Sequence, residues 1–530
     1  MKTRTLAVAA ALGTSLIGGG WVIGRGLNVR EADFTSSRLF DTVLGHVRQY
    51  FVDSISDSTL FEHAMVGMLR ELNDPYTLYL PPNRLRRLTE QTTGNYIGIG
   101  AQIQRRDDYP MIIAPFPGSP AERAGLRTGD RVVEIDGVKT RGLMSDEVLK
   151  ALRGPPDSEV RVVIERPGDP RRMPITMKRG GVHRRAVGRR AMLAQGVGYV
   201  DVNIFNDSTA IELQAAVDSL QAAGMKSLVM DLRGNPGGVL AQGVGVADMF
   251  LDATQVIVSM RGRGPGATEQ FRDSAKQQWP NLPLVVLVDA GSASASEIVA
   301  GALQDHDRAV VMGRTTFGKG SAQGIFAVSS GGGVRITTAR WFTPSGRSID
   351  RPHATQDLEE QRPAEVFRTE HGRRVDGGGG IVPDLLAGDT ALAPGDQALE
   401  DALGNRVNEF RDAMQDVAMA LRSRGAVRSR DFVVTPAMRD DLWSAMRKRG
   451  FRFDRDTFDG AAPLVSSLLG REIARFVFGP EAEAERAIAD DLVIQGAVSL
   501  AASATSPADL LARVVTERQA SAGRPEAGKY

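Results

Sequence analysis

The amino-acid sequence predicts a multidomain α/β protein with helical regions at both ends. A strand, a helix and a second strand follow one another over residues 197–205, 210–223 and 227–232, an order typical of a sheet with helices packed on it. A Val-rich run at 284–288 is short enough for another buried strand, and from Asp396 onward apolar residues recur at helical spacing. A chain of 530 residues is long enough for two to four domains.

We expect the chain to divide into five segments. They are a signal peptide or membrane anchor (1–28), an N-terminal helical region (29–93), a small domain of strands with a helix at 145–152 (94–180), an α/β core (181–390) and a mainly helical extension (391–530). No motif identifies the extension. Packing against the core, dimerisation, and contact with a substrate or an adaptor stay open, with structural support favoured.

Three polar stretches are expected to lack regular structure. The basic residues between Val182 and Ala194 predict a solvated connection, and the polar segment 351–376 predicts a surface loop. The small and polar residues after Arg518 predict disorder.

The composition excludes several kinds of site. There is no cysteine, which excludes disulfides, zinc thiolates and a cysteine nucleophile. The six histidines include no pair with metal-ligand spacing. A Ser–His–Asp triad stays formally possible through His306, but this residue is expected to end a helix between two aspartates. A net charge of +1 gives no argument for nucleic-acid binding, and no cofactor is expected.

The N-terminus predicts export. Lys2 and Arg4 precede an uncharged apolar stretch at 6–24, the pattern of a secretory signal or an uncleaved signal anchor. No small-x-small cleavage site ends this stretch, since Trp21 to Ile23 continue it. We therefore expect an exported protein of the cell envelope or periplasm, anchored to the inner membrane by this segment.

Ser294 is the first candidate functional residue. A helix is expected to open near it and to end before Asp307, so Ser294 lies where free backbone amides and the helix dipole favour negative charge. Two interpretations stay open. Ser294 and Glu297 have the spacing of a capping box, in which the serine only satisfies amides, or Ser294 is a nucleophile.

Lys319 is the matching candidate base. Only nine of the 65 basic residues are lysines, and a desolvated lysine can lose its proton whereas arginine cannot. Lys319 lies between Gly318 and Gly320, and the run from Gly313 is one residue short of a P-loop. The segment that follows predicts two strands and a turn, whereas a P-loop must open a helix. This argues against a nucleotide-binding loop.

These residues carry a resemblance to a known family. Ser-Ala-Ser-Ala-Ser-Glu-Ile-Val-Ala-Gly-Ala-Leu-Gln-Asp, then Phe-Gly-Lys-Gly-x-x-Gln, resembles the C-terminal processing (tail-specific) proteases. The resemblance extends from about Leu39 to Leu386. It implies a PDZ-containing serine endopeptidase with a crotonase-like α/β core, in which Ser294 is the nucleophile, Lys319 the general base and Gln323 the residue that orients the lysine.

The same family supplies the other site residues. Asp-Leu-Arg-x-Asn-x-Gly-Gly at 231–238 resembles the turn that gives an oxyanion-hole amide, here from Gly237 or Gly238, and the second donor is implied to be the amide of Ala295. Glycine suits this position because backbone must come close to the scissile carbonyl.

The segment 94–180 resembles a PDZ domain. Its Tyr-Ile-Gly-Ile-Gly-Ala entry and its Ala-Gly-Leu-Arg-Thr-Gly-Asp segment carry the likeness, which implies that Gly98, Ile99 and Gly100 form a loop for a peptide carboxylate. The implied partners are proteins or peptides with free C-terminal tails, and an adaptor or activator, gating by the PDZ domain and self-association are further expectations. The alternative function is a catalytically silent PDZ scaffold.

Overall fold

The computed structural model describes residues 31–329, 331–351, 366–388 and 392–522. The chain divides into two compact units between Tyr79 and Leu80. Within the described residues, the first contains the helices α1 (Glu31–Tyr50) and α2 (Asp57–Arg70), as the apolar spacing predicts. Strand β1 (Leu78–Leu80) spans the division, and α3 (Pro82–Thr93) begins the second unit. No helix in the described ranges is long and apolar enough to cross a membrane, and the predicted anchor lies outside those ranges.

The predicted PDZ segment forms a twisted sheet with one flanking helix. Its main sheet has the order β3-β4-β5-β7-β8, and β6 pairs with β5. Strand β2 pairs with β9 where the chain enters and leaves this segment. The elements are β2 (Asn95–Gly98), β3 (Ala101–Arg106), β4 (Tyr109–Pro115), α4 (Pro120–Arg123), β5 (Arg131–Ile135), β6 (Val138–Lys139), α5 (Ser145–Leu152), β7 (Glu159–Glu165), β8 (Arg172–Lys178) and β9 (Gly180–His183).

The core is built on a sheet of order β10-β11-β12-β15-β16-β21. Apart from the antiparallel β10–β11 edge, its pairs are parallel, which confirms the predicted β–α–β order. Its first elements are β10 (Val187–Met192), β11 (Val197–Val202), α6 (Thr209–Ala222), β12 (Ser227–Asp231), α7 (Leu240–Asp248), β13 (Val256–Gly262), β14 (Glu269–Arg272), β15 (Leu284–Val288) and α8 (Ala295–Asp305).

A second, antiparallel sheet joins β13, β14 and two later strands. The remaining core strands are β16 (Val310–Gly313), β17 (Ser321–Ala327), β18 (Gly333–Phe342), β19 (Val366–Arg368), β20 (Arg374–Asp376) and β21 (Leu385–Leu386). Strands β17 and β18 confirm that two strands follow Lys319, so this segment opens no P-loop helix. The predictions of a connection at 182–194 and of a loop throughout 351–376 were wrong, because β10 and the β19–β20 hairpin lie there.

The extension is helical as predicted. It consists of α9 (Pro394–Leu403), α10 (Val407–Ser423), α11 (Pro436–Lys448), α12 (Arg455–Gly460), α13 (Ala462–Phe478), α14 (Pro480–Asp490), α15 (Leu492–Ala502) and α16 (Pro507–Ala522). Helix α16 continues past Arg518, so disorder from that residue onward was a wrong prediction as far as Ala522.

Both faces of the main core sheet are buried, by different parts of the chain. Successive side chains of a strand point to opposite faces. In β15, Val286 packs in the cluster that contains α6, α7 and α8, whereas Leu287 packs in the cluster that contains α15 and α16. The extension therefore completes the core as its second helical layer.

Candidate active site

Ser294 lies at a sharp turn between β15 and α8. It is the N-cap of α8 and has φ 55° and ψ −111°, a backbone conformation that non-glycine residues rarely adopt. Strained residues of this kind concentrate at functional sites. The strand and the helix on either side are fully buried, and together they fix the position of the turn.

The structure distinguishes Ser294 from the two serines beside it. Ser292 and Ser296 are fully buried, and their hydroxyls donate to the carbonyls of Leu232 and Asn235 at 2.8 and 3.0 Å. Ser294 is partly exposed. It is therefore the serine of this segment that solvent and a substrate can reach.

The glycine-rich turn after β12 lies directly against the Ser294 turn. The two turns follow adjacent parallel strands, whose carboxyl ends meet at one edge of the sheet. The amide of Ala293 donates to the Asn235 carbonyl at 3.0 Å, and the amide of Gly234 donates to Asp289 at 2.8 Å. These bonds fix the predicted oxyanion turn relative to the predicted nucleophile.

The hydrogen bonds of this turn favour Gly238 over Gly237 as an amide donor. The Gly237 amide is already used, since it donates to Oδ1 of Asn235 at 2.9 Å. The Gly237 carbonyl accepts from the amide of Phe205. Because the N–H and C=O of one trans peptide point in opposite directions, the Gly238 amide points away from Phe205.

Gly237 is instead required for close packing. A Cβ on this residue would lie 2.5 Å from the Ala293 carbonyl oxygen and 2.8 Å from the Ala295 nitrogen. The Ala295 amide is the first of α8, and such amides have no partner within their own helix. The amides of Gly238 and Ala295 are thus the two candidates for an oxyanion hole.

Glu297 connects the Ser294 turn to the Lys319 loop. Its Oε2 accepts from the amides of Ser294 and Lys319 at 2.7 and 3.0 Å. Its Oε1 accepts from the Thr316 hydroxyl at 2.6 Å and from the Gly318 amide at 2.7 Å. Burial raises the pKa of this carboxyl group, against the opposing effect of the four donors. One buried carboxylate therefore holds both candidate catalytic backbones.

The capping-box interpretation of Ser294 and Glu297 is confirmed for its Glu half, because the carboxylate accepts from the Ser294 amide. The sequence pattern gave no sign of the contacts that the same carboxylate makes with residues 316–319. A local motif signals a helix start, whereas these contacts depend on how β16 and β17 are connected.

The two glycines beside Lys319 allow the loop to pack. The Gly318 carbonyl accepts from the Arg351 amide at 3.0 Å, and the Gly320 carbonyl accepts from the Trp341 amide at 2.9 Å. A Cβ on Gly320 would lie 2.8 Å from the backbone nitrogen of Asp350. The loop thereby places Lys319 partly exposed beside Glu297.

Gln323 lies in β17, and its side-chain amide donates to the hydroxyls of Ser321 at 3.0 Å and Thr337 at 3.4 Å. Its predicted effect on Lys319 stays a prediction.

His306 caps α8 at its C-terminal end and bonds to Glu370 and to the carbonyl of Val256, as expected for a helix-end residue. Within the described ranges, no group of three acidic or histidine side chains could hold a metal ion.

The predicted carboxylate loop of the PDZ segment is tightly bonded on one side. The carbonyls of Ile99 and Gly100 accept from the amides of Ala121 and Phe116 at 2.8 and 2.9 Å. By the trans-peptide argument, the Gly100 amide then points away from Ala121. Gly98 pairs with Gly180 in the β2–β9 ladder.

A further polar network, missed from the sequence, adjoins the oxyanion turn. Arg233 pairs with the buried Asp231, with its Nη2 2.7 Å from Oδ2, and the same carboxylate accepts from the Tyr199 hydroxyl at 2.9 Å. Burial and the adjacent Asp231 raise the pKa of Tyr199. Asp491 of the extension contacts Arg233 as well.

Comparison with known proteins identifies the family of this chain. A model described as peptidase family S41 matches residues 196–360, and a PDZ-domain model matches residues 112–166. A probable CtpA-like serine protease of Staphylococcus aureus strain N315 is 33% identical over 373 residues, which cover 69% of this chain and 74% of the relative. The chain belongs to peptidase family S41. It is a member of the C-terminal processing serine proteases, with a PDZ domain ahead of the peptidase domain.

Further proteins are similar to this S41 chain over parts of its length that range from 17% to 67%. A carboxy-terminal-processing protease of Bartonella bacilliformis is 35% identical over 61% of this chain and 75% of its own. Among solved structures, the photosystem II D1 C-terminal processing protease is 30% identical over 67% of this chain and 88% of its own, with a TM-score of 0.37. A Vibrio cholerae carboxy-terminal protease PDZ domain, solved in complex with peptide, is 29% identical over 17% of this chain and 98% of its own, with a TM-score of 0.16.

Proposed function

We propose that this protein is a serine endopeptidase of the cell envelope that recognises the C-terminal tails of its substrates and cleaves them with a Ser–Lys dyad. The observation that carries the proposal is the Glu297 carboxylate. Its Oε2 accepts from the amides of both Ser294 and Lys319, so a single oxygen atom bridges the backbone amides of the two residues.

The reaction follows from the chemistry of these side chains. Neutral Lys319 takes the proton of the Ser294 hydroxyl, whose oxygen attacks the scissile carbonyl, and the protonated lysine then gives that proton to the leaving amine. Lys319 next activates water, which hydrolyses the acyl-enzyme and frees Ser294. Gln323 orients the lysine.

The amides of Gly238 and Ala295 stabilise the negative oxygen of the tetrahedral intermediates. A single such donor typically contributes about 100- to 1,000-fold in rate. The glycine turn is suited to this task because its position is set by hydrogen bonds to the Ser294 turn, before any substrate arrives.

Tail recognition is the role we propose for the PDZ domain. Its strand β3 is the edge strand of the main PDZ sheet, so an extended peptide can add to it as a further strand. The loop at Gly98, Ile99 and Gly100 directly precedes β3, and its bonded carbonyls turn the Gly100 amide toward the other side. We propose that this side receives the terminal carboxylate and that its occupancy gates the dyad.

Export and anchoring are part of the proposal and are supported by the sequence of residues 1–28. Two basic residues precede an uncharged apolar stretch there, which is the arrangement of a signal anchor. We propose an inner-membrane anchor with the remaining chain in the periplasm.

The test is hydrolysis of an unfolded protein that carries an apolar C-terminal tail. Residues 29–530 would be compared with Ser294→Ala, Lys319→Ala, Lys319→Arg and, as a control for loss of a nearby hydroxyl, Ser296→Ala. Lys319→Arg keeps the charge but cannot give a neutral base. We expect cleavage by the wild type and by Ser296→Ala alone.

Hydrolysis by Ser294→Ala at the wild-type rate would refute the mechanism. A wild type that binds the tail but never cleaves, with or without an added activator, would support the catalytically silent scaffold instead.

A further inference from the structure

Asp491 of the helical extension contacts the oxyanion turn at Arg233. Its Oδ2 lies 3.0 Å from Nη1 of Arg233. Arg233 in turn binds Asp231 through Nε and Nη2, and it lies three residues before Pro236 in the turn that leads to Gly237 and Gly238. The guanidinium is thus held by one carboxylate from the end of β12 and one from the extension.

The position of Asp491 is fixed by a second role. It is the N-cap of α15, and its Oδ1 accepts from the amides of Val493 and Ile494 at 2.9 and 3.0 Å. Helix α15 packs on the core sheet through residues such as Ala497, which is fully buried. One oxygen of the carboxylate therefore anchors it to a rigid helix while the other holds Arg233.

The other end of the extension is attached to the PDZ domain. The buried Arg106 of β3 forms an ion pair with Asp416 of α10, and Arg449 contacts both Asp416 and Asp107. Met111 of β4 shares a hydrophobic cluster with α10 to α13. The helices between these contacts and Asp491 pack on one another, α10 against α13 and α13 against α14.

We infer that Asp491 is a positioning residue for the peptidase reaction: through Arg233 it holds the turn that presents the oxyanion amide, and it makes this turn part of the same packed structure as the PDZ domain. The inference rests on the proposed function for its effect on catalysis. It assigns to the extension a role that neither family match covers, since the PDZ match ends at residue 166 and the peptidase match at residue 360.

The test compares Asp491→Asn with Asp454→Asn in the full chain. Asn caps helices as well as Asp does, so the substitution keeps the α15 cap and removes the charge that faces Arg233. Asp454 is an exposed N-cap of α12 that accepts from Thr457, and it provides the same chemical change at a site where the described contacts involve no core residue. Asp491→Ser, a second uncharged cap, replaces Asp491→Asn if that variant does not fold.

Two measurements are made on each variant. Steady-state hydrolysis of a tailed substrate is expected to show kcat about tenfold lower with KM within about twofold for Asp491→Asn, a part of the 100- to 1,000-fold effect of one oxyanion donor. Hydrogen–deuterium exchange over residues 232–239 is expected to be faster by about threefold or more. Asp454→Asn is expected to match the wild type in both.

The outcomes separate the inference from the proposed function. If the wild type does not cleave, the proposed function fails, and the exchange measurement still decides whether Asp491 holds the turn. Unchanged exchange over residues 232–239 in Asp491→Asn overturns the inference. A rise in KM with kcat unchanged also overturns it, because Asp491 would then act on substrate binding.

Discussion

At the residue scale, we predict that replacing the buried Glu297 carboxylate lowers both stability and activity. Glu297→Gln places an amide NH2 group against backbone donors that now bond to a carboxylate oxygen, which leaves buried groups unsatisfied. We expect the free energy of unfolding to fall by about 2 to 3 kcal/mol and kcat to fall by about 100-fold as the Ser294 and Lys319 backbones separate. Urea unfolding and steady-state kinetics measure the two effects.

Glu472→Gln is the matched control for this change. Glu472 is also a buried glutamate whose pKa is raised by burial, but it lies in α13, and its Oε2 accepts no hydrogen bond from the residues that the structure describes. We expect its kcat to stay at the wild-type value. If both variants lose activity equally, the Glu297 effect is general instability and the proposed role is wrong.

Residue types and the family resemblance made Ser294 and Lys319 the candidates in the sequence, but they did not distinguish Gly237 from Gly238. That choice depends on which way two amides point. The direction is set by the Asn235 side chain and by the pairing of Phe205 with the turn, and neither contact leaves a sequence pattern. The link from Glu297 to the Lys319 loop is hidden for the same reason.

At the element scale, we predict that a substitution in the loop before β3 weakens tail recognition selectively. Gly100 has φ +75°, and a Cβ there would lie 2.4 Å from the Cβ of Ser119. We therefore expect Gly100→Ala to raise KM for a tailed substrate about tenfold through a displaced loop, with kcat/KM for a short peptide amide unchanged.

Gly118→Ala controls for backbone strain alone. Gly118 also has a positive φ, +72°, but a Cβ there would meet nothing within 4 Å. Its KM is expected to stay within about twofold of the wild type. Equal losses for tailed and short substrates in Gly100→Ala would contradict tail capture by this loop.

Glu212 is expected to make a pH-dependent contribution to stability where the PDZ domain connects to the core. Glu212 of α6 accepts from His183 of β9 and from the amides of Ala186 and Val187. Burial alone would raise its pKa, but these bonds and one from Ser208 outweigh burial and lower the pKa below the ordinary 4.5.

A lowered pKa means that the folded state favours the ionised carboxylate, so its contribution is present above pH 4.5 and is lost as the pH falls through the folded value. We expect Glu212→Gln to cost about 1 kcal/mol at pH 7 and progressively less as the pH falls below 4.5, measured by urea unfolding. If the difference in the free energy of unfolding between the wild type and Glu212→Gln increased as the pH fell, the predicted direction of the pH dependence would be wrong.

Long apolar and periodic elements were predicted well from the sequence, whereas β10 was not. Its exposed residues include Arg189 and Arg190, and charged side chains are common on edge strands because they discourage further pairing. The same basic residues that protect this edge made the segment look like a solvated connection.

At the scale of the whole molecule, the extension supplies the second layer over the core sheet. Ile494, Ala497 and Leu510 are buried in the cluster that covers this face. In a form that starts at residue 29, we expect a chain that ends at Gly388 to expose the face and to be insoluble or to bind a hydrophobic dye. A chain that ends at Ala522 is expected to stay soluble and active, and a soluble, cooperative core without the extension would contradict this account.

The helical stripes after Asp396 predicted apolar faces but not what those faces contact. An amphipathic pattern specifies that a face is buried and leaves its partner undetermined. The extension uses its faces on two partners, the PDZ strand β4 and the core sheet, and that division follows from tertiary packing alone.

Covalent labelling of the nucleophile tests the central claim most directly. The full chain would be treated with a fluorophosphonate in the presence of a tailed peptide, digested, and analysed by mass spectrometry for the modified residue. The account predicts a single modified serine, Ser294, with labelling lost in Lys319→Arg. Modification of another serine in a chain that still hydrolyses substrate, or labelling that is as fast in Lys319→Arg as in the wild type, would contradict it.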